Sequence, residues 1–303
     1  MTLGALAFLT VAGVLAFTGR VEATPFFFST GNPDGRIATA SRPSSPGKIE
    51  IESADDFVVT AGNTLTLSSA TFQGLLPTGA PLSSVTDVSV EIYQVFPKDS
   101  DVTRTVGAPT FGTTKVPTRV NSPSDVELDS RSASSGNLTF TPGVVSSRFT
   151  AGNSVLNGIN PKPGFQTGGD GPVTGEQVSF NVTFTTPFTL PPDHYFFVPQ
   201  VQLSDGDFFW LSAPRPIVPP GTPFPPGFAD LQTWIRNSNL DPDWLRVGQD
   251  IVGGEGGPFP TFNAAFTLRG DLEPTPEPTT LLLLGTTMAA TGVVGRRRRR
   301  GQS

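Results

Sequence analysis

Gln177 to Thr185 sets the strongest constraint on the fold. Val178, Phe180, Val182 and Phe184 alternate there with Ser179, Asn181 and Thr183, a period of two that suits a half-covered strand and no helix. The same period returns at Val88, Val90 and Ile92, set against Ser89, Glu91 and Tyr93, and again at Phe262, Ala264, Phe266 and Leu268. Between such runs stand 33 glycines and 31 prolines, which interrupt helices and start turns. The expected body is therefore all-β: an antiparallel β-sandwich, jelly-roll-like, with long Gly/Pro/Ser-rich loops.

Along the chain, residues 24–47 have few periodic apolar positions and read as an extended N-terminal arm. The body is expected over 48–270. Ile49-Glu50-Ile51 reads as the start of an edge strand, followed by Ala54 to Val59, Thr64 to Leu67, Ala70 to Phe72 and Val85 to Phe96. Residues 99–172, rich in Ser, Thr, Gly, Asn and Pro, read as a loop-rich insertion with short strands and one helical turn at Val155 to Ile159. Tyr195 to Leu203 is almost continuously apolar, as in a strand covered on both faces. Ser204-Asp205-Gly206-Asp207 suggests a hairpin turn into Phe208 to Leu211. Pro214 to Pro226 holds seven prolines in thirteen residues and should be extended and exposed. Asp230 is placed to cap a short helix with Leu231, Trp234 and Ile235 on one face, and the fold is expected to end at Gly270.

The two ends of the chain say where it goes. Residues 1–23 form an apolar stretch from Leu3 to Phe17 followed by Val21-Glu22-Ala23, a pattern for a signal peptide cut after Ala23 by signal peptidase. Its basic n-region is only the amino terminus itself. At the other end, a proline-rich spacer (271–280) contains Pro276-Glu277-Pro278. An apolar run expected to be a transmembrane helix (281–295) follows, then what reads as a basic cytoplasmic tail (296–303) with Arg296, Arg297, Arg298, Arg299 and Arg300. Each arginine would cost roughly 2.5–3.5 kcal/mol at mid-bilayer, so five together stay in the cytoplasm and leave the body outside. The apolar run from Leu281 to Val294 extends only about 21 Å against a hydrocarbon core of about 30 Å, a short anchor.

That order of parts resembles the PEP-CTERM sorting signal of exported bacterial proteins. The resemblance implies an exosortase-type transpeptidase as partner, with Pro276, Glu277 and Pro278 as the recognition motif. It also implies transient retention by Arg296 to Arg300, later removal of the helix, and association with exopolysaccharide or biofilm material. Within the body, Asp55, Asp56, Phe57 and the alternation from Val88 to Tyr93 resemble the opening of β-sandwich modules of secreted bacterial proteins, which share no single activity.

Charge narrows the partners. Setting aside Arg20, Glu22 and the five tail arginines, the chain's 20 basic and 26 acidic residues become 14 and 25, so the body is acidic by 11 charges. Phosphate backbones would be repelled, which argues against nucleic acid. With no cysteine there is no disulfide, thiol nucleophile or thiolate metal site.

Candidate chemistry is sparse. The sole histidine, His194, has no nucleophile elbow near it and reads as a strand-start residue. Asp99 with Asp101, Asp205 with Asp207, and Asp241 with Asp243 are spaced for calcium-binding loops, although turn chemistry also explains them. Phe208, Phe209, Trp210, Trp234 and Trp244 could stack on sugars, but core packing is the commoner use of such residues. The leading reading is an exported, non-enzymatic surface or matrix protein with no cofactor. A calcium-assisted carbohydrate-binding module and a polysaccharide hydrolase with paired carboxylates stand as alternatives.

Overall fold

A computed structural model describes residues 22–104, 116, 118–159, 166–253 and 260–275. Residues 1–21 of the expected signal peptide (1–23), the motif Pro276 to Pro278, the segment 281–295 and the arginines Arg296 to Arg300 lie outside the described residues.

Strand dominates, and the longest helical turn among the described residues, Val247–Val252, has six residues. The strands in chain order are β1 (Thr24–Ser29), β2 (Ile37–Ala40), β3 (Ile51–Val59), β4 (Asn63–Pro77) and β5 (Val85–Gln94). Next come β6 (Asp129–Ser132), β7 (Leu138–Ala151), β8 (Asn153–Val155), β9 (Val173–Leu190) and β10 (Asp193–Leu203). The last five are β11 (Phe209–Ala213), β12 (Trp234–Asn237), β13 (Leu245–Arg246), β14 (Asn263–Ala264) and β15 (Phe266–Pro274).

They form two sheets. The larger has nine strands, with β1-β15-β4-β11-β2-β8 as its path, β9 and β7 on the other edge of β4, and β14 beside β11. The smaller runs β13-β12-β3-β10-β5-β6. Pairing is antiparallel except between β2 and β8. One apolar cluster joins the sheets: Phe57, Val59, Val88, Val90, Ile92, Tyr195 and Phe197 from the smaller meet Leu65, Leu67, Phe72, Val178, Phe180, Val182 and Phe266 from the larger. Phe72 stacks on Phe180 at 5.1 Å, Phe197 on Phe266 at 5.1 Å. Gly74 has a steric reason to be glycine, since a Cβ there would lie 2.1 Å from the Phe208 ring.

The alternating runs are strands in the positions their periodicity requires. Several other expectations give way to tertiary pairing. Residues 24–47 are no free arm: β1 pairs along β15 and β2 lies between β11 and β8. Ile51 opens an interior strand, with all nine residues of β3 buried. The described parts of 99–172 are integral, giving β6 to the smaller sheet and β7 and β8 to the larger, with the 14-residue β7 paired to β9.

Val155 to Ile159 makes no helical turn, because the Leu156 and Asn157 amides donate to the Asp170 carboxylate instead. Ser204 to Asp207 is a crossing between sheets and no hairpin, since β10 lies in the smaller and β11 in the larger. Leu231, Trp234 and Ile235 do have helical spacing, yet β12 is a strand, with Trp234 opposite Ala54 and Ile235 opposite Ser53. The open edge of β3 needs backbone partners, and that demand outweighs a weak local preference. The proline run is partly covered, with Phe224 edge-on to Phe28 at 5.3 Å. The sheet also continues past Gly270, as β15 stays paired to Pro274.

Candidate functional site

Three regions gather the groups that could do chemistry or recognition. The first is the end of the body from which the chain leaves. β15 is an interior strand, held by β1 on one side and β4 on the other, with Leu272 opposite both Thr24 and Leu65 and Pro274 opposite Asn63. The Thr275 amide donates to Gly62 O at 2.9 Å. Pro276 therefore follows directly on a hydrogen-bonded residue. Ala23, the residue expected before the signal-peptide cut, is exposed at the same end.

The second region surrounds His194. β3 places Asp55 and Asp56 on opposite faces, as a strand must. Asp55 points between the sheets, where its Oδ2 accepts from the Ala264 amide at 2.8 Å. Asp56 Oδ2 lies 2.5 Å from His194 Nε2 and accepts from the Leu231 amide at 3.1 Å. Burial, and then the charges of Asp56 and Asp230, hold the Asp55 carboxyl well above the usual carboxylate range. Burial also pushes Asp56 up to about 6, against the pull of His194. Oδ1 of Asp55, Asp56 and Asp230 and Oδ1 of Asn263 are buried without a hydrogen-bond partner. These are the atoms a proton or a water would satisfy. His194 thus holds a buried carboxylate and packs near Phe224 and Phe228.

The third region is an ionic layer on the outer face of the smaller sheet. Arg236 on β12 makes a two-nitrogen contact with Glu52 on β3, its Nη2 lying 2.9 Å from Oε1, and reaches Asp241 at 2.9 Å. Its guanidinium also stacks on Trp244, 4.4 Å from the ring centroid. The Tyr93 hydroxyl lies 2.7 Å from Glu52, 3.0 Å from Glu91 and 2.8 Å from Arg236 Nη2. A phenol has one proton to give. With that proton directed to Glu52, Glu91 must bring its own. Burial, with Glu52, Glu127 and Glu50 adding to it, pushes Glu91 up to about 9, so it is protonated at neutral pH. Burial pushes the Tyr93 phenol upward as well.

Asp207, Asp241 and Asp243 of the acidic pairs are engaged by basic side chains. Asp207 meets Arg42 at 2.7 Å and Lys48 at 3.2 Å, and Asp205 accepts from the Gly206 amide. Asp101 caps the Thr103 amide at 2.9 Å, while Asp99 occupies a turn with φ 46. Asp243 is buried against Arg104 at 2.5 Å, with Arg119 beside it. Among the described residues no group of three or more His, Asp or Glu side chains is arranged to hold a metal ion. Phe208, Phe209, Trp210, Trp234 and Trp244 are all buried, none more than 5% exposed, so none offers an open stacking face. Trp210 and Trp244 donate to the Ala265 and Ser124 carbonyls.

Glu52, Glu91, Tyr93 and Arg236 were missed as a site by sequence reasoning. Their only signal was charge placed within strand-like runs, and a solvated strand face looks the same.

The family model of the PEP-CTERM protein-sorting motif matches residues 274–300. No curated protein and no solved structure matches the chain. The chain thus carries the sorting motif of exosortase substrates, joined to a two-sheet β body, and the motif marks it as an exported protein directed to the cell surface.

Proposed function

We infer from the sorting motif that the mature body is a non-enzymatic β-sandwich module, jelly-roll-like in its layers, that serves the cell surface or extracellular matrix in association with exopolysaccharide. In this reading signal peptidase cuts after Ala23. The 281–295 helix and the Arg296 to Arg300 tail then hold the chain in the membrane until an exosortase acts at Pro276 to Pro278. The observation that carries the reading is the match of the motif over residues 274–300.

The state of the reactive side chains supports it. His194 is spent on Asp56, and Asp207, Asp241 and Asp243 are matched to arginines. A calcium-binding loop or a carboxylate-pair hydrolase built on Asp207, Asp241 or Asp243 would need those carboxylates free to meet a ligand, which favours a structural module over either. Intact mass of the protein collected from culture medium tests the reading. A mass beginning near Thr24 and ending near the motif is expected, and full retention of the arginine tail on extracellular protein would overturn it. Deleting Arg296 to Arg300 is expected to abolish this maturation.

A further inference from the structure

We propose that one end of the body, formed by the β3–β4 turn, the β9–β10 turn and the adjoining ends of β1 and β15, is held against the lipid headgroup surface while the chain awaits sorting. This rests on the reading of 281–295 as a membrane segment. The register fixes which end it is. Thr24 stands opposite Leu272, Asn63 opposite Pro274, and Leu65 opposite Leu190. The N-terminal and C-terminal exits, the turn at Ala61-Gly62 and the turn at Pro191-Pro192 therefore share one pole.

Tether length does the rest. Thr275 is tied to Gly62, and from Pro274 to Leu281 a chain of seven steps reaches at most about 24 Å. Three of its residues, Pro274, Pro276 and Pro278, are prolines, which stiffen it. β4 has 15 residues, and at about 3.3 Å per residue it puts the opposite end of the sheet roughly 46 Å away. A tether half that length keeps the near pole within about 24 Å of the bilayer, and the far pole meets the surface only when the body lies over on its side.

The near pole also suits close approach. Ala61, Gly62, Pro191 and Pro192 are exposed, small and uncharged, Lys98 there is paired with Asp193 at 2.5 Å, and Glu22 and Glu273 at the adjoining strand ends are exposed acids. Among the described residues nothing on it attracts anionic lipid strongly, so the tether is what sets the orientation. The exit of residue 23 at the same pole lets both apolar ends of the precursor enter one bilayer without unpairing β1 from β15.

The absence of native cysteine gives a clean test. Full chains carrying Ala61→Cys, Pro192→Cys or Ser147→Cys, each labelled with one fluorophore, are incorporated into phosphatidylcholine/phosphatidylglycerol vesicles containing a headgroup-nitroxide lipid. Ser147 lies on β7 beside the far ends of β4 and β9. Quenching at Ala61 and Pro192 is expected to be at least about threefold that at Ser147, given the separation along the strands. A Gly/Ser insertion of about 20 residues after Thr275 should erase the difference. Vesicle-bound protein with equal or reversed quenching overturns the orientation alone. A difference that survives the insertion overturns the tether as its cause. Protein that does not float with vesicles overturns the membrane reading and this proposal together.

Discussion

Around β3 the smaller sheet is buried on both faces, and the faces are built on different principles. Toward the larger sheet, Phe57, Val59, Val88, Val90, Ile92, Tyr195 and Phe197 bury apolar area, worth about 1.5–3 kcal/mol for each large side chain. Away from it, Glu52, Glu91, Tyr93 and Arg236 form a matched ionic layer beneath Trp244. β3 serves both, with Phe57 and Val59 on the inner face and Glu52 and Asp56 on the outer. The inner face gains stability from every atom it covers, in any arrangement that packs. The outer face is stable only while each charge keeps its partner, because an orphaned buried charge loses hydration and gains nothing in return.

Changes on each face should separate the two principles. The largest loss is expected from Phe72→Ala, which removes a side chain stacked on Phe180 at 5.1 Å and should lower unfolding free energy by about 3–5 kcal/mol in urea titration, equally at pH 5 and pH 8. Arg236→Met should cost a comparable amount at neutral pH, roughly 3–5 kcal/mol, by leaving Glu52 buried and unpaired. Pairing it with Glu52→Leu should recover most of that loss, whereas no second change on the inner face would rescue Phe72→Ala. A double variant no better than the single would break the comparison.

pH sharpens it further. An ordinary glutamate loses its proton near 4.3, but Glu91 keeps its proton in the folded state up to about 9. Between those values the folded protein holds a proton that the unfolded chain has released, so stability falls as pH rises, by up to about 1.4 kcal/mol per pH unit for one group. Asp56, pushed up to about 6, adds a fall of the same sign between about 4 and 6. Glu91→Gln should therefore flatten the profile above pH 6, leaving the variant nearly unchanged at pH 4 and more stable than the parent at pH 8.5. A parallel profile would place the proton elsewhere. The smallest effect belongs to Asp207→Asn, which loosens the partly exposed contacts to Arg42 and Lys48 and should cost no more than about 1 kcal/mol, less at high salt.

The strands with strict alternation were legible because burial on one side leaves its mark every second residue. Val178 to Phe184 and Val88 to Ile92 needed nothing more. Ile51 to Val59 was harder to read, since the strand is covered on both faces and buries polar side chains on each, Ser53 and Asp55 on the inner and Glu52 and Asp56 on the outer, which erases the alternation. β12 was hidden behind helical spacing. The crossing at Ser204 to Asp207 looked like a hairpin because turn residues report a change of direction and carry no record of which sheet receives the chain. Among site residues, Asp55 and Asp56 stood out in the sequence, but their separation onto opposite faces follows only from β3 being a strand.

The sequence alone determined the address of this protein and the character of its body. The sorting motif over 274–300 is a matter of residue order along the chain, and period-two alternation is likewise local. Only the tertiary structure decided which strands are neighbours and which charges meet. It joined Glu52 to Arg236 across 184 positions and brought the chain's two exits to one pole at Thr24 and Leu272. Such pairings depend on the shape of surfaces that exist only after both sheets have packed.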